Sequence, residues 1–208
     1  MNIDESPSGF GAITDYLVRQ VDWRFMVLPP LLALSMAYAI VQGYYLPGKS
    51  IMEFIGLATM AYFFIACVLR YRLAPTTFTL GCIWISFAFL SREIHYPGSD
   101  VLVYASIILL AFLIVTRFEF FRPYIDQRLC FTLFAMAFFA YFISQSTDQR
   151  WWRFMPYEDV THMRLEETME IVGHLCLGTS LILWQQVSGK AVQACDETAT
   201  GGRSGTLT

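Results

Sequence analysis

Long apolar runs and short polar connections alternate along the whole chain. Each run contains about 20 residues with few charges, and none shows the strict alternation of a barrel strand. A lipid-exposed backbone must satisfy its own hydrogen bonds, which favours helices. The pattern therefore predicts an all-α, polytopic membrane helical bundle with six transmembrane helices, at residues 27–46, 52–71, 76–94, 100–118, 129–146 and 167–187.

The connections predict how these helices are arranged. Short linkers such as "LPGKS" and "HYPGSD" make consecutive helices antiparallel neighbours, so residues 1–194 are predicted to form one six-span domain. Within that domain, residues 10–24 have the pattern of an amphipathic helix that lies along the membrane interface. Residues 195–208 are small and polar, which predicts a disordered tail.

Composition supports a lipid environment. Hydrophobic residues make up 56% of the chain and charged residues only 15%, whereas a soluble domain carries about 25% charged residues. Membrane lipids are therefore the expected surroundings, and other membrane protein subunits are possible partners. The net charge of −3 gives no reason to expect a nucleic-acid partner. The five cysteines form no C-x-x-C pair and are interpreted as small hydrophobic residues.

Basic residues set the predicted orientation. With six spans, nine of the 14 Lys and Arg residues fall on the side of the amino terminus. The positive-inside rule then places both termini in the cytoplasm. The chain is therefore predicted to be a multi-pass membrane protein.

Ionisable residues inside the last span form one stripe. At helical spacing, Glu166, Glu167, Glu170 and His174 share one side, while Leu175 and Thr179 lie opposite. A charge at mid-bilayer costs about 3 kcal/mol or more, so such a stripe must face the bundle or a wet cavity. Two glycines flank the stripe and predict close approach of other helices, at residues 173 and 178.

Two other spans end in polar residues on the same side. The third ends with Arg92, Glu93 and His95, and the fifth carries Tyr141, Gln145 and Asp148 on one face. The third, fifth and sixth spans are therefore predicted to share a polar pocket below the extracytoplasmic surface.

Three interpretations of this pocket remain open, and the first is structural. Arg92 would pair with Glu166 or Glu170, and His174 would form a hydrogen bond inside the bundle. Glu167, Gln145 and Asp148 would complete the pocket. A buried pair of this kind fixes helix register more than it adds stability.

The second interpretation is a divalent-metal site. Glu170-x-x-x-His174 places a carboxylate and an imidazole one turn apart, which suits zinc or iron. Glu166, Glu93 or His95 would supply the remaining ligands. A metal with an open coordination position could activate water for hydrolysis.

The third interpretation is a proton or ion relay in which Glu170 and His174 change charge. Against it, the first, second and fourth spans contain few ionisable groups, so a polar path to the cytoplasm is hard to draw. Haem held by His95 and His174 is a further possibility, based on these two histidines alone.

The segments "LSREIHYPG" and "EETMEIVGHLCLG" resemble a pattern in uncharacterised bacterial inner-membrane proteins. In those proteins an Arg-Glu-x-acid/His cluster ends one span, and a Glu-Glu-x-x-Glu stretch opens the last. The similarity covers residues 92, 93, 95, 166, 167 and 170. It implies a multi-pass helical bundle of the bacterial cytoplasmic (inner) membrane and no particular activity.

Function is therefore predicted at the level of a class. The leading hypothesis is an accessory subunit or binding protein with a polar intramembrane pocket on the extracytoplasmic side. One alternative is a metal-dependent, hydrolase-like membrane enzyme that uses Glu170 and His174. Another is a component of a proton-coupled transporter.

Overall fold

The computed structural model describes residues 9–44, 47–151 and 158–201, and within these ranges every regular element is a helix. A 3₁₀ turn, Phe25–Val27, leads into the second helix. In chain order the α-helices are α1 (Phe10–Gln20), α2 (Leu28–Val41), α3 (Lys49–Leu73), α4 (Thr77–Glu93), α5 (Ser99–Thr116), α6 (Phe118–Ile125), α7 (Arg128–Asp148) and α8 (Glu158–Gly201).

Local sequence explains several helix ends. Two prolines occupy the first turn of α2, where a missing backbone donor costs little. A capping box starts α4: the Thr79 amide donates to Thr76 Oγ1 at 3.1 Å, and the Thr76 amide donates to Thr79 Oγ1 at 3.0 Å. After α4 the chain turns sharply through His95 at φ 55° and Gly98 at φ 88°. This turn places the start of α5 beside the end of α4.

The core of the bundle is formed around α8. This helix packs most extensively against α7, and it also contacts α3, α2 and α4. Its inward side chains Leu165, Met169, Leu177 and Leu181 are almost completely buried. In contrast, α5 packs mainly against α4 and α6 and leaves much of its surface exposed.

Gly173 and Gly178 of α8 allow close helix crossings, as the sequence predicted. A Cβ atom on Gly173 would lie 2.5 Å from Cε1 of Tyr141 in α7. A Cβ atom on Gly178 would lie 2.1 Å from the ring of Phe63 in α3. Both distances are too short for any real side chain, so α7 and α3 can approach α8 this closely only because these residues are glycine.

The number of candidate membrane spans is smaller than the predicted six. By length and apolar composition, α3, α5 and α7 qualify among the described residues. Together, α1 and α2 give a fourth if they are taken as one span broken by an 84° bend. Helix α4 has only 17 residues, and Glu170 and His174 lower the mean hydropathy of the apolar part of α8. The prediction of six is thus corrected to three or four candidates.

Two further features differ from the sequence prediction. The run at 100–118 is interrupted after Thr116, and the short helix α6 follows it. Helix α8 begins before the predicted span at 167 and continues to Gly201, past the predicted domain boundary at 194. Residues 202–208 lie outside the described residues, so the disordered tail stays a prediction.

Candidate functional site

Polar side chains from several helices meet at one end of the bundle. Antiparallel packing brings the carboxyl ends of α4 and α7 to the same level as the amino ends of α3 and α5 and the early turns of α8. We call the five residues Arg92, Glu93, Tyr141, Glu170 and His174 the polar centre.

The first contact of the polar centre joins α4 to α8. Nη2 of Arg92 donates to Oε1 of Glu170 at 2.5 Å, and both side chains are mostly buried. Nε of Arg92 also lies 3.8 Å from Oδ1 of Asp100, an exposed residue at the start of α5. This is the pairing that the structural interpretation predicts. A guanidinium is always charged and can only donate hydrogen bonds, so a carboxyl oxygen such as Oε1 of Glu170 is a suitable acceptor for it.

The second contact is a chain of three side chains centred on His174. The His174 side chain is fully buried. Its Nε2 lies 2.9 Å from Oε1 of Glu93, and its Nδ1 lies 2.7 Å from the hydroxyl oxygen of Tyr141. The Nε2–Glu93 contact has the distance of an ion pair, although its direction is poor for a hydrogen bond. Both ring nitrogens therefore meet a group that can exchange a proton.

Aromatic and small residues fix the positions of these groups. The ring of Phe89 stacks on Tyr141 at a centroid distance of 4.8 Å and meets the His174 ring edge-on at 6.5 Å. On α3, Gly56 leaves room for the Glu93 carboxylate. A Cβ atom there would lie 2.9 Å from Oε2 of Glu93 and 3.7 Å from Cδ2 of His174. The imidazole is thus enclosed by ring faces and backbone.

A small cavity adjoins the polar centre. Its volume is about 50 Å³, and its lining includes Arg92, Asp100, Tyr104, Tyr141 and Gln145. The Tyr104 hydroxyl donates to Oε1 of Gln145 at 3.3 Å across it. A water molecule needs about 10–15 Å³ and two to four polar partners. By volume this cavity has room for a few waters beside Tyr141 and Arg92, although Phe89, Val103, Ile107 and Phe138 make most of its lining apolar.

Further acidic residues lie near Glu170. Glu166 and Glu167 are half-buried on α8 and interact electrostatically with Glu170. Exposed Asp148, at the end of α7, acts on Glu166 in the same way, and α3 contributes Lys49 and Glu53. Of the predicted pocket residues, Gln145 therefore lines the cavity, whereas Glu166, Glu167 and Asp148 do not.

The predicted metal ligands do not come together as a set. Glu93 and His174 are in contact, but Arg92 holds Glu170, and a guanidinium competes with a cation for the same carboxylate. His95 is exposed, because the left-handed turn at this residue directs its ring to the backbone oxygen of Glu93, 3.0 Å from Nδ1. Within the described residues, no group of three or more His, Cys, Asp and Glu side chains could hold a metal ion.

Two neighbours of the centre were not predicted from the sequence. Gly56 is visible in the sequence as a glycine within an apolar run, but the sequence does not show that it lies next to Glu93 and His174. Asp100 comes near Arg92 only because of the shape of the turn after α4, which the sequence pattern does not give. Tyr141 was placed on the correct face of its helix, although its bond to His174 was not anticipated.

The described helices include several that are long and apolar enough for an integral membrane protein. No protein-family model, curated protein or solved structure matches the chain. The resemblance to uncharacterised inner-membrane proteins therefore stays a prediction, and function must be argued from the polar centre itself.

Proposed function

We propose that this chain is an integral membrane binding or accessory protein whose polar centre accepts a proton from the extracytoplasmic side. The observation that carries the proposal is the position of buried His174 between Glu93 and Tyr141. Imidazole is the side chain whose charge changes most readily between pH 5 and 8. Ionisable groups at membrane depth commonly serve proton or ligand pathways.

Protonation of His174 changes its hydrogen bonding on both sides. In the neutral ring with the proton on Nε2, Nδ1 accepts from the Tyr141 hydroxyl. In the imidazolium both nitrogens donate, so the Tyr141 hydroxyl must turn and become an acceptor. At the same time the ring gains a full charge facing the Glu93 carboxylate. The contact of His174 with Glu93 and Tyr141, which joins α8 to α4 and α7, therefore has two hydrogen-bonding patterns. Which one is present depends on whether the imidazole has bound a second proton.

Proton entry is supported from one side only. The small cavity brings room for water to Tyr141 and Arg92 near the end of the bundle. Beyond His174, α8 continues with buried Leu177 and Leu181, and Phe63 fills the space at Gly178. A one-sided proton site fits a binding or accessory protein that responds to its surroundings. A transporter component would need a second path, and the contact of Arg92 with Glu170 weighs against the metal-dependent hydrolase.

Helices α4 and α8 complete the proposed arrangement in the membrane. Both pack against the candidate spans: α4 lies against α3 and α5, and α8 against α7 and α3. We propose that they cross the bilayer beside these helices, which restores six spans with both termini in the cytoplasm of a bacterial cell. Surrounding lipids and other subunits of a membrane complex are the proposed partners.

The decisive experiment is ¹⁵N NMR of histidine-labelled protein in lipid nanodiscs between pH 4 and 8. The His174→Gln variant identifies the His174 signals among those of the three histidines. We expect a neutral ring at high pH, with Nε2 protonated, and conversion to the imidazolium on acidification. The exposed His95 gives a second histidine signal in the same samples, with which the signal of the buried ring can be compared. A His174 signal unchanged across this range in folded protein would overturn the proposal.

The span arrangement has a separate test by cysteine accessibility in intact cells. Exposed Pro75, between α3 and α4, and exposed Tyr96, between α4 and α5, are each replaced by cysteine. If α4 crosses the membrane, a membrane-impermeant thiol reagent labels Tyr96→Cys only, and Pro75→Cys reacts only after permeabilisation. The unsubstituted chain gives the background labelling to subtract, because Cys176 is only partly buried and the chain also contains Cys195. Equal labelling at both positions would remove α4 as a span.

A further inference from the structure

A large cavity lies at the opposite end of the bundle from the polar centre. Its volume is about 1040 Å³, at the upper limit of the roughly 300–1,000 Å³ typical of small-molecule sites. The first half of α4 and the second half of α5 form one wall, and α6, the start of α7 and α8 form the other. The cavity exists because α5 packs against α4 and α6 and leaves a gap toward α7.

The lining of this cavity is mostly apolar, and its two indole groups and the Ser106 hydroxyl already have hydrogen-bond partners. Indole Nε1 of Trp84 donates to Oγ of Ser106 at 3.0 Å, and that hydroxyl donates to the Leu102 carbonyl at 2.7 Å. Indole Nε1 of Trp184 donates to the Tyr124 carbonyl at 2.8 Å. Phenylalanine, leucine and isoleucine side chains supply most of the remaining surface. The cavity therefore suits a hydrocarbon better than water.

One cation lies at the edge of this apolar space. Arg117 lines the cavity where α5 ends and α6 begins, and it is exposed. Among the described residues it has no carboxylate within ion-pair distance. Helix ends near a membrane surface are where basic side chains meet anionic headgroups. A long apolar lining with a single guanidinium at its edge matches a molecule with an anionic head and a long hydrocarbon chain.

We propose that this cavity binds an anionic phospholipid, with an acyl chain against α4 and α8 and the phosphate at Arg117. The site is independent of the polar centre, because the two occupy opposite ends of the bundle. An uncharged apolar molecule would leave Arg117 without a role, and a zwitterionic lipid would offset the phosphate with its own cation.

Gly81 provides a direct way to fill the cavity. This residue lines the space, and a Cβ atom added there meets nothing within 4 Å. Gly81→Leu would therefore place a side chain in the hydrocarbon site without a clash at its first atom. Gly11→Leu is the matched control, because Gly11 is also helical with open space around it and does not line the cavity.

The test uses full-length protein exchanged into bilayers of equal phosphatidylglycerol and phosphatidylcholine, then purified in mild detergent. Native mass spectrometry reads the retained lipid. We expect about one phosphatidylglycerol per chain in the wild type and in Gly11→Leu, and at least a fivefold loss in Gly81→Leu. Arg117→Gln should retain lipid without preference between the two headgroups, whereas Arg72→Gln, at an exposed arginine outside the cavity, should keep the preference.

Three outcomes would overturn the proposal. These are a wild type without retained lipid, equal retention in Gly81→Leu and Gly11→Leu, and unchanged headgroup preference in Arg117→Gln. Circular dichroism and gel filtration of each variant separate lost binding from lost folding. The His174→Gln variant should retain phosphatidylglycerol like the wild type, so failure of the lipid site and failure of the proton site can be told apart.

Discussion

Nη2 of Arg92 lies 2.5 Å from Oε1 of Glu170 and joins the last turn of α4 to the early turns of α8. The two residues are separated by 78 positions in sequence, and their side chains are only 21% and 13% exposed. In such a place each charge depends on the other, because removal of one partner leaves an uncompensated buried charge.

We therefore predict strong coupling between substitutions at these two positions. Arg92→Gln and Glu170→Gln should each reduce the free energy of unfolding by about 3 kcal/mol, and the double variant should recover part of that loss. Thermal unfolding in one detergent measures all three. The exposed pair Arg19–Asp15 is the control, with about 0–1 kcal/mol of coupling. If the losses of the two single variants simply add in the double variant, the contact between Arg92 and Glu170 contributes nothing to the free energy of unfolding.

The second prediction concerns the helix crossing at Gly178. Gly178→Ala would place a Cβ atom 2.1 Å from the Phe63 ring, so α3 and α8 must separate. We expect a loss of stability of about 1–3 kcal/mol, as for other overpacked cores, and partial recovery when Phe63→Leu is added. Thermal unfolding followed by tryptophan fluorescence gives the values.

Gly81→Ala is the matched control for this crossing. A Cβ atom at Gly81 meets open space, so alanine should stabilise its helix by about 0.5–1 kcal/mol through its propensity. Equal effects at positions 81 and 178 would contradict the close approach of α3 and α8.

The third prediction is a pH dependence of the contact that holds α1. The Tyr16 hydroxyl donates to Oδ1 of Asp126, and its ring meets Phe118 edge-on at 5.3 Å. Burial, followed by the hydrogen bond to Asp126, raises the pKa of Tyr16. The folded state thus favours the neutral phenol. Its contribution is fully present below the unfolded-state pKa of about 10 and is lost as pH rises through the higher folded-state pKa.

A spin label on Gly11→Cys can follow this contact, because Gly11 lies in α1 with open space around it. We expect slow label motion from pH 7 to 9 and faster motion above pH 10. In the Tyr16→Phe background the motion should be faster throughout and should not change over this range. Identical profiles with and without the Tyr16→Phe substitution would show that α1 is held by other contacts.

Much of the helical fold follows from the sequence, because apolar runs in a membrane have few alternatives to a helix. The runs at 76–94 and 129–146 differ by at most two residues from α4 and α7. The run at 100–118 ends two residues after α5, and the short helix α6 lies almost entirely beyond that run, so the pattern does not predict it. Fewer helices than six qualify as spans, because α4 is short and because Glu170 and His174 lower the mean hydropathy of α8.

Helical periodicity and the antiparallel order of the helices predict part of the candidate site. Helical periodicity places Glu170 and His174 on one stripe, and antiparallel order brings Arg92 and Glu93 to the same end. Periodicity gives the direction of a side chain but not its partner. The partners Glu93 and Tyr141 of His174, and the outward turn of His95, depend on helix rotations and on one positive φ angle that no spacing rule contains.

The 84° bend between α1 and α2 bears on the leaflet around the amino-terminal end. If α2 follows the bilayer normal, α1 runs along the surface, where Tyr16 ties it to the residue that follows α6. The cross-section of the protein is then larger in that leaflet than in the opposite one. A protein of this wedge shape should accumulate in membrane regions that bulge outward on the side of its amino terminus.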